Sequence, residues 1–443
     1  MLELSKFTCD ISPPVGAPLC GGTIAPAMVI DEPQYALGIV LRGEGAPIVL
    51  VTLDCLGVYN RAYDRFVNAL ADAAETSPKR VLITSVHQHD APWHEPDVQR
   101  LIDEHELNYA FCDVAHFDRV MADTAAALRD GLTRGRPVTH VGVGRAKVDR
   151  VASNRRILTP AGKVEKMRGS RCHDPVLRAA PEGLIDPYLT SLRFFDGDTP
   201  VATISYYATH PMSLYGEGRV SSDFCGLARA RRQAAQPDGI ELFTNGCAGN
   251  IAAGKYNDGS PGVRDELTQK MFEAMVTAAT NVKPRPIGKL QCRQVPMNLP
   301  VRNEPGFTEQ DCRHALQQGV GLLKDYFDDA MRAGLLVTQD IRHSVVNLMW
   351  RKRAIDPIDV PVIDLGVAKL VLLPGEPFIE FQLAAQKMCA DAVVIVMGYG
   401  NGGPGYLCTD VAYDQGGYEP GLPAYTGRGA EAIVRETLGE ALA

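Results

Sequence analysis

The sequence lacks the features that mark several classes of protein. Its 11 cysteines include no CxxC pair, which excludes the common cysteine-type zinc site and the thioredoxin motif. It has no long basic run, and its formal net charge is −8, so nothing favours a nucleic-acid partner. Its apolar runs, such as 36–41 and 392–397, are far shorter than the roughly 18 residues of a membrane span. We therefore expect neither a nucleic-acid partner nor a membrane-spanning segment.

The N-terminal segment, MLELSKFTCDISPP, also lacks the basic start and apolar core of a secretory signal. The cysteines are odd in number and widely dispersed, which is typical of reduced thiols rather than of a disulfide framework. These two observations predict a cytoplasmic protein. Most of the thiols are expected to be buried and inert, because a free cysteine behaves as a small apolar residue.

What the chain does contain is an alternation of strand-like and helix-like segments over its 443 residues. This alternation predicts an α/β fold, with one large domain in which a mixed, multi-layer β-sheet core is flanked by helices. The predicted strands lie at 47–51, 80–86, 140–148, 200–207, 240–244, 337–350, 361–373 and 392–397. The predicted helices lie at 63–75, 117–132, 222–234, 264–278, 378–390 and 428–442.

One segment, 151–186, is long, irregular and rich in Arg, Pro and Gly. A long loop inside a compact domain is usually functional, so we predict an active-site loop here. We find no low-complexity linker and no repeat of fixed period. The predicted organisation is therefore a single catalytic domain spanning residues 1–443, with the loop inside it.

Polar residues follow several strand-like runs at the point where each run ends. His87 and His89 follow ITSV, His210 follows ISYYAT, Glu376 follows VLLPG, and Tyr406 follows the last apolar run. In sheets with helical crossovers, ligands bind beyond the carboxyl ends of the strands. Two histidines and one glutamate form a typical hydrolytic zinc set that leaves a position open for water or substrate.

The HxH pattern at His87 and His89 leaves two interpretations open. If the run stays extended, both side chains point to one face and both are available as ligands. If the strand turns there, one histidine ligates and the other handles protons. His94 is left open between a site role and a packing role. The remaining histidines lack such a context and are expected to be packed or exposed; they are His105, His116, His140, His173, His314 and His343.

At these residues the sequence resembles the N-terminal catalytic domain of the neutral/alkaline non-lysosomal ceramidase family. The strand and turn at 85–92 are similar to the family's Thr-His-Thr-His-Ser-Gly-Pro, and 207–211 matches its second histidine strand. The matches run in order along nearly the whole chain, and their joint order carries the resemblance. The other matching segments are 9–14, 153–155, 186–195, 222–226, 245–250, 373–376 and 398–419.

The resemblance implies a catalytic zinc held by four residues of this chain: His87, His210, Glu376 and Tyr406. It also implies that His89 and Arg155 line the active site as catalytic residues. The alignment favours Tyr406 over Tyr413 and Tyr418, because Asn401 and Glu419 then match as well.

Four further polar residues are candidates for contacts behind the ligands or with substrate. Asp54 and Asp223 are expected to orient ligand imidazoles, with a turn or helix-cap role as the alternative. Asp90 and Asn250 stand where the family has Ser and Asp, so they are candidate substrate contacts. Asp90 and the following Trp93 replace small family residues, so we expect a substrate that differs from ceramide.

The sequence therefore predicts a zinc-dependent hydrolase, with one zinc per chain, that cleaves an amide (N-acyl) bond of a small soluble compound. We also expect neither the secretion signal nor the C-terminal immunoglobulin-like domain of the ceramidases, which makes membrane ceramide a less expected substrate. A lactonase or esterase on the same site is the nearest alternative. The partner is a small-molecule substrate, and a homo-oligomer remains possible.

Two alternative functions belong to other classes of protein. The segment 398–403 is literally GxGxxG after a strand, but Pro404 follows where a dinucleotide-binding helix would begin. A non-catalytic binding protein of the same fold is the other alternative. The intact set of His87, His210 and Glu376 argues against it.

Overall fold

A computed structural model describes residues 2–318 and 341–443 of the chain. The strands in order are β1 Leu2–Asp10, β2 Val29–Ile30, β3 Tyr35–Arg42, β4 Ile48–Leu53, β5 Gly57–Val58, β6 Val81–Ser85, β7 Trp93–His94, β8 Arg136–Val138, β9 His140–Lys147, β10 Ser153–Asn154, β11 Arg156–Leu158, β12 Val164–Met167, β13 Tyr188–Asp196, β14 Thr199–Tyr207, β15 Arg219–Val220, β16 Glu241–Asn245, β17 Ile251–Ala252, β18 Arg285–Pro286, β19 Gln291–Met297, β20 Ile358–Asp364, β21 Ala368–Leu372, β22 Glu376–Pro377, β23 Val393–Met397 and β24 Tyr406–Leu407.

The α-helices, numbered over the same described residues, are α1 Asn60–Ala73, α2 Pro96–Glu104, α3 Val114–Gly131, α4 Pro175–Ala179, α5 Asp223–Ala235, α6 Val263–Thr280, α7 Glu309–Gln318, α8 Ile341–Arg353, α9 Ile379–Met388, α10 Asp410–Gln415 and α11 Ala430–Leu442. Short 3₁₀ turns lie at Cys20–Gly22, Pro78–Arg80 and Leu132–Arg134.

Three larger sheets form the core, and they share one strand pattern. Their orders are β6-β4-β3-β1-β8, β16-β14-β13-β9-β18 and β19-β20-β21-β23. In each sheet the first three strands of the chain pair antiparallel, and the fourth then adds in parallel to the third. The expected mixed α/β architecture is confirmed.

The three sheets belong to three consecutive units of the same topology. In each unit a helix connects the two parallel strands: α1 joins β4 to β6, α5 joins β14 to β16, and α9 joins β21 to β23. A second helix then packs against the unit's crossover helix and its first strand, as α3, α6 and α11 do in turn. The repeat is one of topology alone, which is why no fixed period is visible in the sequence.

The core has an inner layer shared by the three sheets and an outer layer under the helices. Ile39, Leu192 and Leu370, one from each unit, are nearly inaccessible in the inner layer. Alternate residues of the strands face outward onto the helices, so each strand is apolar on both sides. Outer-layer side chains include Phe66 and Phe117 in the first unit, Phe224 and Met271 in the second, and Phe381 and Leu438 in the third.

The carboxyl ends of the parallel strands from all three units meet at one place. The amide of Ser85 donates to the carbonyl of Tyr399 at 2.9 Å, and the amide of Gly398 donates to the carbonyl of Asn245 at 3.1 Å. These bonds link β6 to the end of β23 and β23 to the end of β16. Residues that follow the strands of different units are thereby brought within contact distance of one another.

One predicted element is wrong in type. Within 337–350, predicted as a strand, residues 341–350 lie in helix α8, and 337–340 fall outside the described residues. All ten of those helical residues are buried, so the segment shows no amphipathic period. A short apolar run that includes Val345 and Val346 does not distinguish a buried helix from a strand. The single strand predicted at 361–373 is two strands, β20 and β21, which pair with each other.

The glycine-rich segment after β23 leads into another short strand, β24, and the next helix begins at Asp410. A Cβ atom added at Gly402 would lie 2.1 Å from Cε2 of Tyr59, so this glycine allows the loop to pass close to the ring. Gly402 therefore serves packing. The first amide of α1, that of Asn60, meets this segment but donates to the side chain of Asn401 at 2.8 Å, so it is not free to bind a phosphate.

No helix in the described part of the chain is long and apolar enough to cross a membrane.

Candidate metal centre

His87 lies just beyond β6, where the chain turns. Its backbone has a φ of 72°, so the extended version of the HxH pattern does not apply. The backbone amide donates to the carbonyl of Cys55 at 3.0 Å, and Nδ1 lies 2.7 Å from the carbonyl oxygen of Leu56. The ring is buried. Because Nδ1 faces the segment that follows β4, Nε2 lies on the opposite side of the ring. The orientation of the imidazole is thus fixed by backbone groups.

His210 follows β14 in the second unit and is fixed in the same way. Its Nδ1 lies 2.8 Å from the carbonyl oxygen of Ala248 and 3.1 Å from that of Ile251. The ring is fully buried. Burial, together with the nearby charge of Arg155, lowers the pKa of His210 to about 4, so the imidazole is neutral at physiological pH.

Glu376 begins β22 in the third unit and meets both imidazoles. Its Oε2 lies 3.2 Å from Nε2 of His87 and 3.3 Å from Nε2 of His210. Burial by itself raises the pKa of this carboxyl group, but His87 and His210 outweigh it and hold the pKa well below its usual range. The side chain is therefore an ionised carboxylate in a nearly closed site.

The three facing atoms, Nε2 of His87, Nε2 of His210 and Oε2 of Glu376, are buried and make no hydrogen bond. Buried polar atoms are nearly always satisfied, so three unsatisfied ones that converge require an explanation. Nitrogen and oxygen ligands of a tetrahedral zinc lie about 2.0–2.1 Å from the ion, and hence about 3.3–3.4 Å from one another. The observed separations of 3.2 and 3.3 Å match that spacing, so these residues fit a zinc ion.

His89 is the third imidazole of the group. Its ring centroid lies 5.1 Å from that of His87 and 5.9 Å from that of His210. The possible ligand atoms of these three histidines all lie within 4.8 Å of one another. Its Nε2 makes no hydrogen bond, and burial, aided by the other two imidazoles, holds its pKa well below the usual value. Geometry alone thus admits His89 as a ligand or as a proton donor.

Tyr406 and Arg155 complete the side of the site next to Glu376. Tyr406 lies directly opposite Glu376 in the parallel pair β22–β24. Its hydroxyl accepts a hydrogen bond of 3.1 Å from Nη2 of Arg155. The Arg155 guanidinium also donates to the carbonyl of Gly249 and pairs with Glu419 at 3.2 Å. Arg155 is therefore a buried, fixed cation whose charge is partly balanced.

The other two tyrosines considered for the site are placed differently. The Tyr413 hydroxyl donates to the carbonyl of Thr426 at 2.8 Å. The Tyr418 ring packs edge-on against Tyr406 at 5.8 Å. Of the three, only Tyr406 stands in register with Glu376.

The segment 151–186 carries Arg155 and contains short strands β10–β12 and helix α4 rather than loop alone. The amide of Arg155 donates to the carbonyl of Asn250 at 2.8 Å, and its carbonyl accepts from the amide of Arg168 at 2.9 Å. The buried Arg168 guanidinium links distant parts of this segment through hydrogen bonds. It donates to the backbone carbonyls of Asn154, Leu177, Ala180, Pro181 and Glu182.

The orienting role expected for Asp54 and Asp223 is corrected by their contacts. Both Asp54 oxygens pair with Arg229, at 2.6 and 2.8 Å, so this carboxylate joins the first unit to α5. Asp223, the first residue of α5, accepts from the amide and hydroxyl of Ser213 and from the amide of Phe224, so it holds the loop at Ser213 against the start of the helix. Backbone carbonyls take the place of carboxylates in orienting the imidazoles.

Asp90 and Asn250 also act on neighbouring segments. Asp90 accepts from the amide of Gly216 at 3.1 Å and pairs with Arg264 at 3.4 Å, and burial raises its pKa to about 7. Asn250 accepts from the amide of Ile379 at 2.9 Å and donates to Glu380. Both residues hold loops around the site, and neither contacts the ligand imidazoles.

Two residues near the imidazoles were missed by sequence reasoning. The Tyr399 ring stacks on His87 with centroids 4.3 Å apart. The Cys20 sulfur lies 3.4 Å from Nδ1 of His89. The GYGNGG run that contains Tyr399 has only the pattern of a glycine motif, and a lone cysteine 67 positions before His87 carries no spacing signal.

No protein-family model and no curated protein matches this sequence. Solved structures do match. A structure described as neutral ceramidase from Pseudomonas aeruginosa superposes with a TM-score of 0.72 at 18% identity, covering 100% of this chain and 74% of that one. A second, described as ceramidase complexed with C2, gives 0.72 at 16% identity with the same coverage. The neutral ceramidase-like fold expected from the sequence is therefore confirmed.

Proposed function

We propose that this protein is a zinc-dependent hydrolase that cleaves an amide bond of a small soluble N-acyl compound with water. The observation that carries the proposal is the convergence of three unpartnered atoms, at separations of 3.2 and 3.3 Å, from His87, His210 and Glu376. The resemblance to neutral ceramidases supports the same reaction class. We assign His87, His210, Glu376 and Tyr406 as the ligands of one zinc per chain.

Zinc is favoured over harder cations by the donor set. Two imidazoles and one carboxylate suit zinc, whereas Ca²⁺ and Mg²⁺ prefer an all-oxygen site. A zinc ion held there lowers the pKa of a water toward about 7 and polarises a carbonyl. The protein supplies the rest of the chemistry, because water adds to the acyl carbon, the C–N bond breaks, and the leaving nitrogen must gain a proton.

His89 is placed to supply that proton or to stabilise the oxyanion. Its Nε2 makes no hydrogen bond and the ring stands beside both ligand imidazoles. A proton donor held within reach of the reacting atoms contributes about 100-fold to 10,000-fold in rate.

The positive charge of Arg155 is fixed beside the proposed zinc site. The hydrogen bond to Tyr406 and the ion pair with Glu419 fix the guanidinium plane. In this role Arg155 orients the Tyr406 oxygen and offers positive potential to charge that develops on the substrate carbonyl. The segment 151–186 acts as the active-site loop in this proposal, because it delivers Arg155.

A cation near the site favours an anionic substrate. The Tyr215 ring lies 5.9 Å from the His89 ring, and the exposed Arg171 guanidinium lies 5.9 Å from the Tyr215 ring. No carboxylate in the described part of the chain forms an ion pair with Arg171. A carboxylate on the substrate is its natural partner, which places N-acyl amino acids ahead of ceramide.

The test is metal analysis of the purified protein followed by a substrate panel with zinc added. The panel comprises N-acyl amino acids, the same compounds as neutral methyl esters of the carboxylate, short ceramides and lactones. We expect one zinc per chain and fastest hydrolysis of the anionic amides. A protein that binds no zinc, or cleaves no amide when loaded, contradicts the proposal, and cleavage of lactones alone replaces the amidase by the lactonase alternative.

A further inference from the structure

The Cys20 thiol is held against His89 by a tightly built turn. Cys20 Sγ lies 3.4 Å from His89 Nδ1, and the amide of Cys20 donates to the carbonyl of Ala91 at 2.9 Å. Two hydrogen-bonding contacts therefore tie the cysteine to the chain segment that carries His89. The thiol is buried, so water does not compete strongly for the imidazole nitrogen.

The backbone of this turn is unusual for a cysteine. Cys20 has a φ of 50°, in the left-handed region that residues with a Cβ atom rarely adopt. Gly21 follows with a φ of 64°, and a Cβ there would lie 2.7 Å from a ring carbon of Trp93. The turn therefore packs tightly against Trp93. It places the Cys20 sulfur next to the His89 ring although the left-handed conformation is unfavourable for a cysteine.

The three imidazoles differ in the partner of Nδ1. His87 and His210 each face backbone carbonyl oxygens at this nitrogen. A carbonyl only accepts hydrogen bonds, so Nδ1 of both rings must carry the proton. Nε2 is therefore the nitrogen of each ring that remains available to a metal.

His89 faces a thiol instead of a carbonyl. A thiol donates through S–H, and its sulfur is a weak acceptor, whereas a bare imidazole nitrogen is a strong one. The favoured arrangement is S–H donating to Nδ1, which leaves the proton of the neutral ring on Nε2. A protonated Nε2 does not bind a metal but donates a hydrogen bond.

We propose that Cys20 is a positioning residue that holds His89 as the Nε2–H tautomer, which keeps this imidazole out of the metal shell and makes its Nε2–H a hydrogen-bond donor to the oxyanion of the reacting carbonyl. This rests on the proposed function for its kinetic consequence, but the tautomer itself is measurable without any substrate. The tautomer also decides whether His89 is a ligand. If its Nε2 carries a proton, the metal is held by His87, His210 and Glu376 without His89.

The test uses the full-length protein, labelled with ¹⁵N-histidine, in the wild type and in three variants. Cys20→Ala removes the donor, Cys20→Ser retains one, and Cys225→Ala is the matched control because Cys225 is equally buried in α5, away from the imidazoles. Two-dimensional ¹H–¹⁵N spectra show which ring nitrogen carries the proton, and a His89→Gln sample assigns the resonance.

We expect the wild type, Cys20→Ser and Cys225→Ala to show the proton of His89 on Nε2, and Cys20→Ala to show a mixture of tautomers. Zinc content and KM should be the same in all four proteins. The kcat of Cys20→Ala should fall on the order of 10-fold, with recovery in Cys20→Ser. A split between kcat and KM of this kind is not expected from a purely structural role.

A wild-type spectrum with the proton on Nδ1 of His89 overturns the proposal, whatever the variants do. An unchanged tautomer and an unchanged kcat in Cys20→Ala overturn it as well. If Cys20→Ala does not fold, the wild-type spectrum and the Cys20→Ser rate still decide. Absence of bound zinc or of amide hydrolysis in the wild type would refute the proposed function, whereas the spectrum would still test Cys20.

Discussion

The protein buries histidines together in two places, and they differ in what their nitrogen atoms face. One is the candidate metal centre, with His87 and His210. The other is the pair His94 and His116, whose ring centroids lie 5.7 Å apart and which are 1% and 3% exposed. Both places contain ring nitrogens without a hydrogen bond, so burial and unsatisfied nitrogens alone do not make a metal site.

The candidate centre has two features that the pair lacks. Its imidazoles are fixed at Nδ1 by backbone carbonyls, and their free nitrogens converge on the carboxylate of Glu376. Neither nitrogen of His94 makes a hydrogen bond, and its ring lies 5.4 Å from that of Phe117. Burial, with a smaller effect of His116, lowers the pKa of His94 to about 3. The comparison indicates that directed lone pairs and a facing carboxylate define the site.

The largest expected difference between the two places concerns metal content. His210→Ala removes one ligand and should lower zinc affinity by more than about 100-fold, so that the purified protein contains almost none. His94→Gln is the matched control and should retain one zinc per chain. Metal analysis by mass spectrometry measures both. Equal zinc in the two variants would contradict the assignment of His210 as a ligand.

A smaller effect separates chemistry from metal binding. We expect His89→Ala to keep its zinc and to lose about 100-fold to 10,000-fold in kcat for the preferred amide, because the side chain that donates to the reacting atoms is removed. His116→Gln, a change in the other histidine group, should leave the rate unchanged. Steady-state kinetics on zinc-loaded protein is the measurement. Full activity in His89→Ala would remove His89 from the mechanism, and loss of zinc would make it a ligand.

The smallest effect is on stability and belongs to His94. Its pKa is about 3 in the folded protein and about 6.5 when unfolded, so only the unfolded chain gains a proton between these values. The depressed pKa therefore destabilises the fold as pH falls below about 6.5, by about 1.4 kcal/mol per pH unit.

Between pH 7 and pH 5, the wild type should thus lose about 2 kcal/mol more of its unfolding free energy than His94→Gln does. Urea denaturation at the two pH values tests this, and the difference between the proteins cancels acid effects at the metal centre. Parallel losses in both proteins would show that His94 is accessible to protons in the folded state.

The strand ends could be predicted from the sequence because local patterns encode them. His87, His210 and Glu376 each follow a short apolar run, and these runs are strands β6, β14 and β21. The type of α8 could not be predicted, since a segment buried on all sides has no period. The roles of Asp54 and Asp223 were misjudged because a carboxylate before a helix looks alike whether it meets an imidazole, an arginine or a serine.

The sequence by itself determined the α/β class, the residues offered for a zinc site and the resemblance to neutral ceramidases, because hydrophobic periodicity and ordered motifs are local properties of the chain. Tertiary structure alone decided the threefold repeat of topology, which brings one proposed ligand residue from each unit, His87, His210 and Glu376, to a common point. It also decided that carbonyls face Nδ1 of His87 and His210 while a thiol faces His89. These partners lie at other positions along the chain, and only the packing of the three units makes them neighbours.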